Sequence, residues 1–457
     1  MIRLEDIQKV YFIGIGGIGM SALARYFAFH GREVSGYDKT ETVLTKQLVS
    51  EGIPVHYKED LELAPKDAQL VVYTPAVPAN HAELEYYRRH NYTLMKRSEV
   101  LGVITQGSFN ICVAGTHGKT TITTMIAHLL RHSGYGCNAF LGGVAVNYNS
   151  NYWSNERNVC VVEADEYDRS FLRLSPDIAV ITAMDADHLD IYGTAENMEA
   201  AFIEFSGKLK PGGTLISKYG LEKNDELKGD QHLLYHQQDQ RADVFAANVR
   251  MFHGSYQFNV ISKDWILRDV VLHMGGLHNI ENVVAAIAVA HQLGIEDDKI
   301  KAAVEAFKGV KRRFEYIIKS DKPGKTVYVD DYAHHPEELR ALISGAKGLF
   351  PDMKCTVIFQ PHLFTRTRDF AAEFAQSLEL ADEVVLLPIY PARELPIEGV
   401  TSNMILEHIN KEEKYLLNKH QVLDWVKQAR REGWLLLSAG AGDIDTLVQP
   451  LKELLAK

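Results

Sequence analysis

Short apolar runs recur along this chain, each stopping at a glycine or a polar residue and followed by a stretch with helical spacing. Val10-Tyr-Phe-Ile stops at Gly14, and residues 22–30 follow as a helix. Residues 33–37 form the next strand, closed by Asp38, and 69–74 another. Asn110-Ile-Cys-Val-Ala runs into Gly115, ahead of an amphipathic helix over 122–130. Val159-Cys-Val-Val stops at Glu163, and Ile178-Ala-Val-Ile-Thr-Ala-Met184 is a further buried strand. Residues 223–243 are polar and unpatterned and read as a surface excursion, whereas 283–293 is a strongly apolar helix. Beyond it, four β-rich runs (325–331, 354–360, 383–389 and 434–438) alternate with helical segments. Strands alternating with helices predict parallel, doubly wound sheets. The fold class is therefore α/β. The pattern divides into three domains: Rossmann-like over 1–107, P-loop-containing over 108–317, and Rossmann-like again over 318–457. That matches a prior of about 150 residues per domain for a chain of 457.

Charge and cysteine content narrow the functional classes. Acidic residues outnumber basic ones by 60 to 49, and a net charge of −11 argues against a nucleic-acid partner, which needs a basic face. No apolar run reaches the roughly 18 residues of a membrane span. Residues 10–20 are broken by four glycines and do not read as a secretory leader. Cys112, Cys137, Cys160 and Cys355 form no Cys-x-x-Cys pair; Cys112 and Cys160 lie in strand-like runs as small core residues. This usage fits a reducing, cytoplasmic setting. Monomer and homodimer both remain open.

The candidate chemistry sits where strands end. Gly115-Thr116-His117-Gly118-Lys119-Thr120-Thr121 is a strand-to-helix turn whose glycines let backbone N–H groups face an anion. Lys119 supplies a point charge for phosphates, and the Thr120 hydroxyl suits Mg²⁺. The common P-loop would place a glycine at 113, where this chain has Val113, so the loop is a shortened variant. Gly14, Gly16 and Gly19, with Gly17 and Ile18 between them, satisfy the dinucleotide fingerprint, and Asp38 lies where a ribose-binding acid would fall. Alone this fits a nicotinamide-dependent oxidoreductase, but its physics is only that a helix N-terminus accepts a diphosphate, as a UDP-sugar also offers. Glu163 ends an apolar strand, the usual place for a Mg²⁺ ligand opposite a phosphate loop. His188, between Asp187 and Asp190, suits a metal ligand or a phosphate contact. Asn279 and Asn282 share one helix face, as readers of a base edge or as caps. Arg312 and Arg313 suit phosphate. In the last third, Asp330-Asp331-Tyr332-Ala-His334-His335, Pro361-His362 with Arg366 and Arg368, and Tyr390-Pro-Ala-Arg393 decorate strand ends and make a substrate pocket.

In this order the motifs resemble the Mur ligases, ATP-dependent amide-forming enzymes of peptidoglycan synthesis. Besides the shortened loop, the likeness rests on Glu163-Ala-Asp-Glu166, Asp187-His-Leu-Asp190, His278-Asn-x-x-Asn282, Arg312-Arg-Phe314, Asp330-Asp-Tyr-Ala-His-His-Pro336, Thr365-Arg-Thr-Arg368 and Tyr390-Pro-Ala-Arg-Glu394. It spans essentially the whole chain and is nearest the alanine-adding branch. The resemblance implies that ATP activates the lactyl carboxylate of UDP-N-acetylmuramate as an acyl phosphate, which L-alanine then attacks. Lys119 and Thr120 would hold the ATP phosphates and Mg²⁺ (or Mn²⁺), with Glu163 and His188 completing the metal and phosphate site. Asn279 and Asn282 would face the adenine, while Arg313 and Asp331 close on the nucleotide. The 14–21 turn would hold the UDP diphosphate. Tyr332, His334 and Arg366 would form the amino-acid pocket, with His334 as the candidate acceptor of the amine's proton. Residues 193–207 contain no lysine, so the carbamylated lysine of other members is not expected. Position 363 is leucine where some members carry arginine. A recycling ligase that attaches a preformed tripeptide is the near rival; the extra residues of that branch are absent between Asp168 and Pro176.

Overall fold

The structure is a computed structural model, and it describes residues 4–185, 189–252, 254–320, 325–392, 394–429 and 432–456. His188 and Arg393 lie outside the described residues. The chain folds into two compact units. The first comprises 1–245, 261–265 and 282–303, and the second 246–260, 266–281 and 304–457.

The first unit holds two sheets. One has the order β3-β2-β1-β4-β5, formed by β1 (Lys9–Ile13), β2 (Glu33–Tyr37), β3 (Val55–His56), β4 (Leu70–Tyr73) and β5 (Leu94–Lys96). All its pairings are parallel, with Val10 opposite both Val34 and Leu70. The helices α1 (Ile18–Phe29), α2 (Val43–Ser50), α3 (Ala82–Arg89) and α4 (Arg97–Gln106) cross between these strands. The other sheet is built from β6 (Phe109–Ala114), β7 (Asn138–Ala145), β8 (Ser150–Trp153), β9 (Val159–Glu163), β10 (Ile178–Ile181), β11 (Thr214–Lys218) and β12 (Gln231–His236), in the order β12-β11-β10-β6-β9-β7-β8. It is parallel except for the β7–β8 hairpin. The helix α5 (Lys119–His132) follows β6.

These elements follow from composition. β1, β6 and β10 are almost entirely buried and accordingly apolar, with Asn110 of β6 the buried polar exception. α5 differs from the amphipathic helix expected: every residue from Thr121 to Leu130 is buried. Its threonines tolerate this because Thr123 and Thr124 return their hydroxyls to the carbonyls of Lys119 and Thr120, each at 2.7 Å. One hydrophobic cluster joins Phe12 and Phe27 to Phe140, Val162 and Phe202, so the two sheets share a core. The expected surface excursion at 223–243 is corrected: it contains β12, parallel to β11. Only Tyr235 of that strand is buried, which explains its unpatterned polarity.

The chain continues through β13 (Val244–Phe252), β14 (Ser255–Ser262) and β15 (Ile266–Leu272), consecutive neighbours in a ladder, and then a helix His278–Gln292 that begins before the expected 283. The second unit carries a sheet of order β16-β17-β21-β18-β19-β20. Its strands are β16 (Glu315–Ile318), β17 (Val327–Asp331), β18 (Lys354–Phe359), β19 (Glu383–Leu386), β20 (Lys414–Leu416) and β21 (Trp434–Ala439). Only β16 pairs antiparallel. All four cysteines are buried and free, as the core reading of Cys112 and Cys160 expected for those two. Among the described residues no helix is long and apolar enough to cross a membrane.

Candidate active site

One strand–glycine–helix turn, after β1, lines a cavity in the first unit; a second, after β6, reaches that cavity only through Glu163, which Thr120 holds. At the end of β1, the N–H groups of Gly14 and Ile15 both donate to Tyr37 O, at 2.8 and 2.9 Å. Gly16 N–H donates to Asp38 Oδ2 at 2.7 Å, and Thr40 N–H to Asp38 Oδ1 at 3.1 Å. Asp38 thus braces the loop that leads into α1. No side chain caps α1, which leaves its positive end toward the cavity. That cavity, about 350 Å³, is lined by Gly17, Ile18 and Gly19 on one side and by Leu141, Gly142 and Glu163 on the other. Arg97 also lines it. A Cβ on Gly19 would lie 2.7 Å from the Arg97 guanidinium, so glycine at 19 admits that cation.

The second turn carries more charge. Gly115 has φ +134°, and a Cβ there would sit 2.0 Å from Thr182 Oγ1. Gly118, at φ +79°, caps α5. Lys119 Nζ donates to Gly115 O at 2.7 Å and to Glu166 Oε1 at 2.6 Å. Thr120 Oγ1 donates to Glu163 Oε1 at 2.9 Å, and Gly142 N–H to Glu163 Oε2 at 3.0 Å. A Cβ on Gly142 would strike that carboxylate. Burial raises the pKa of both Glu163 and Glu166, opposed by Thr120 and Lys119 at the first and by Lys119 at the second. His117 lies toward Asp185, with Nε2 3.9 Å from its carboxylate. Thr121 is buried inside α5. Asn282 brings Oδ1 to within 3.0 Å of where a Gly118 Cβ would stand.

The residues fit a bound triphosphate and a divalent cation. Thr116 Oγ1 is buried without a protein hydrogen-bond partner among the described residues, inside a loop whose backbone only glycine adopts freely. Thr120 Oγ1 and Glu163 Oε1 lie 2.9 Å apart.

The remaining predicted residues belong to the second unit. Asn279 is buried and donates to Gly275 O at 2.6 Å. Asp331 accepts from Phe314 N–H at 2.6 Å and Ala333 N–H at 2.7 Å; burial pushes its pKa up to about 6. Arg313 lies over the Tyr332 ring, 5.5 Å from its centroid. Its neighbour Arg312 instead bonds Asp330 Oδ2 at 3.2 Å and holds the sheet. His334 Nδ1 lies 2.9 Å from Tyr332 O, and its ring is 6.0 Å from that of His362. Arg366 Nη1 is 3.5 Å from His362 Nδ1. Burial lowers the His334 pKa to about 4. Tyr332, His334, His362 and Arg366 therefore gather at the ends of β17 and β18.

Sequence reasoning missed Arg97, Gly142 and the Lys119–Glu166 pair as particular contacts. Arg97 directly follows the end of β5, so the rule that ligands meet strand ends would have found it. Nothing in the sequence marks Gly142.

Comparison with known proteins agrees with this geometry. Family models match in three consecutive stretches: the Mur ligase family catalytic domain over residues 9–108, the Mur ligase middle domain over 113–290, and the Mur ligase glutamate ligase domain over 312–442. The UDP-N-acetylmuramate–L-alanine ligase of Flavobacterium johnsoniae is 46% identical over 99% of both chains. That of Porphyromonas gingivalis (strain W83) is 48% identical over 98% of this chain and 99% of its own. The crystal structure of a UDP-N-acetylmuramate-alanine ligase from Thermotoga maritima superposes with a TM-score of 0.83 at 30% identity, covering 97% of this chain and 98% of the other.

Proposed function

We infer that this chain, which belongs to the Mur ligase family, joins L-alanine to the lactyl carboxylate of UDP-N-acetylmuramate with cleavage of ATP, a step in building peptidoglycan precursors in the cytoplasm. The observation that carries this reading is the shared cavity, whose walls are the diphosphate-type loop at 17–19 and the carboxylate Glu163, itself bonded to Thr120. A sugar diphosphate on the first wall places its carboxylate toward the phosphates on the second.

The chemistry follows. A lactyl carboxylate oxygen attacks the γ-phosphorus, ADP leaves, and an acyl phosphate forms. The amine of L-alanine attacks the acyl carbon; the tetrahedral intermediate then expels inorganic phosphate and leaves an amide. Lys119 releases Glu166 to neutralise the transferring phosphoryl group, and the 115–118 amides cradle its neighbours. Thr120 and Glu163, with His188, would hold Mg²⁺, which when bound would neutralise phosphate charge. Asn279, Asn282, Arg313 and Asp331 serve the nucleotide in this reading. Tyr332 and Arg366 hold the amino acid, and neutral His334 accepts the amine's proton. In this reading three domains divide the work: UDP-sugar, ATP and amino acid.

Phosphate release with ATP and UDP-N-acetylmuramate against a panel of amino acids and the tripeptide tests the reading. Release is expected with L-alanine. Turnover with the tripeptide alone, or with no UDP-sugar present, would overturn it.

A further inference from the structure

The hairpin β7–β8 touches both halves of the cavity. On β7, Leu141 and Gly142 line it, and Gly142 N–H holds Glu163, which in turn holds Thr120. On β8, Asn151 reaches the opposite way. It is fully buried, and its Nδ2 donates to Ile18 O at 2.5 Å and to Ser21 Oγ at 3.1 Å. Its Oδ1 accepts from Arg25 Nη1 at 2.5 Å. Arg25 is fixed by both oxygens of Glu51, at 2.6 and 3.1 Å. Ile18 is the first residue of α1 and lines the cavity beside Gly17 and Gly19. Tyr26 of α1 packs on Phe140 and Tyr152 of the hairpin, with ring centroids 5.5 and 6.5 Å apart. One two-stranded element therefore fixes the first turn of α1 at one end and the Glu163 carboxylate at the other.

We propose that Asn151 is a positioning residue that sets the spacing between the diphosphate loop and the phosphoryl-transfer carboxylate, and so delivers the substrate carboxylate in line with the γ-phosphorus. This rests on the ligase reading above. Asn151 lines neither wall; it acts through Ile18 and the hairpin. Its amide suits the task because it gives and receives at once, taking the Arg25 proton while donating to a helix carbonyl. The reaction is sensitive to such spacing, since a misplacement of about 1 Å costs about 10²-fold in rate.

A merely structural amide would change the melting temperature and the fraction of competent protein but not the Michaelis constants of the molecules that fold. The test uses the full chain with Asn151→Ala and Asn151→Asp. The aspartate keeps the acceptor for Arg25 and loses the donor to Ile18 O. Competent sites are counted by the binding stoichiometry of a non-hydrolysable ATP analogue, and acyl-phosphate formation is measured per competent site. The KM for UDP-N-acetylmuramate should rise about tenfold and the rate per site fall about tenfold in both variants, with the ATP KM within about twofold of the parent. Either variant retaining both the UDP-sugar KM and the rate per site within about twofold overturns the proposal. So does failure of both variants to fold, which would make Asn151 a folding residue. Absence of product from the parent enzyme would instead overturn the ligase reading, and UDP-N-acetylmuramate binding by calorimetry would still compare parent and variants.

Discussion

The turns at 14–19 and 115–120 have the same grammar, a buried strand, a glycine loop and a helix, yet they differ in the charged groups around them. The first contains no cation. Its carboxylate, Asp38, points back at its own loop and braces the Gly16 amide. The second contains Lys119, and its carboxylates, Glu163 and Glu166, face the loop from the neighbouring chain segment and grip Lys119 and Thr120. A braced loop with a bare helix end suits a diphosphate that is bound but unchanged. A loop with a cation, a hydroxyl and an opposed carboxylate suits a phosphate that is transferred. The carboxylates behind the loops, more than the glycines in them, distinguish the two in the proposed reading.

Five substitutions can break or sharpen that contrast. The largest effect is expected at Lys119. Lys119→Met should cut kcat/KM for ATP by about 10³-fold, read by phosphate release, because in the proposed reading Lys119 is the second loop's cation for the transferring phosphoryl group. Next is Gly115→Ala, where a Cβ would meet Thr182 Oγ1 at 2.0 Å in a backbone with φ +134°. It should cost about 3 kcal/mol in a denaturant titration. Gly17→Ala, whose nearest neighbour would be at 3.6 Å, should be close to neutral. Third, Asp38→Ala frees the Gly16 amide and should raise the UDP-N-acetylmuramate KM about tenfold while leaving the ATP KM unchanged. The smallest effect extends the contrast to the second unit. Burial holds His334 neutral down to about pH 4. The unfolded chain binds a proton on this group near its ordinary value of 6.5, before the folded one does. The stability His334 contributes is therefore present above that value and lost as pH falls through the window toward 4. Denaturant midpoints of His334→Gln should fall less steeply over that window than those of the parent.

Both loops were legible in sequence because glycine spacing and a strand-end acid are local signals. The four main strands of the second unit were legible for the same reason, as continuous apolar runs. What escaped is nonlocal. Arg97 enters the cavity only because Gly19, far away in the chain, leaves room for its guanidinium. The β7–β8 hairpin carries Gly142, Gly143 and several asparagines, a composition that reads as turn rather than strand. β16 and β20 are edge strands with partly exposed faces and give no clear apolar alternation. The shared core of the first unit was equally hidden, since two sheets with their own apolar runs look like two separate bodies until Phe27 and Phe140 are found in one cluster.

The division of labour between the loops is tested most directly by calorimetry on crossed variants. Lys119→Met and Gly16→Val are each titrated with UDP-N-acetylmuramate and with a non-hydrolysable ATP analogue. In Gly16→Val a side chain would strike Asp38, since even a Cβ there lies 2.7 Å from its Oδ2. Lys119→Met should bind the UDP-sugar like the parent and lose the ATP analogue; Gly16→Val should do the reverse. Loss of both ligands in both variants, or loss of the UDP-sugar from Lys119→Met alone, would contradict the assignment of one phosphate to each loop.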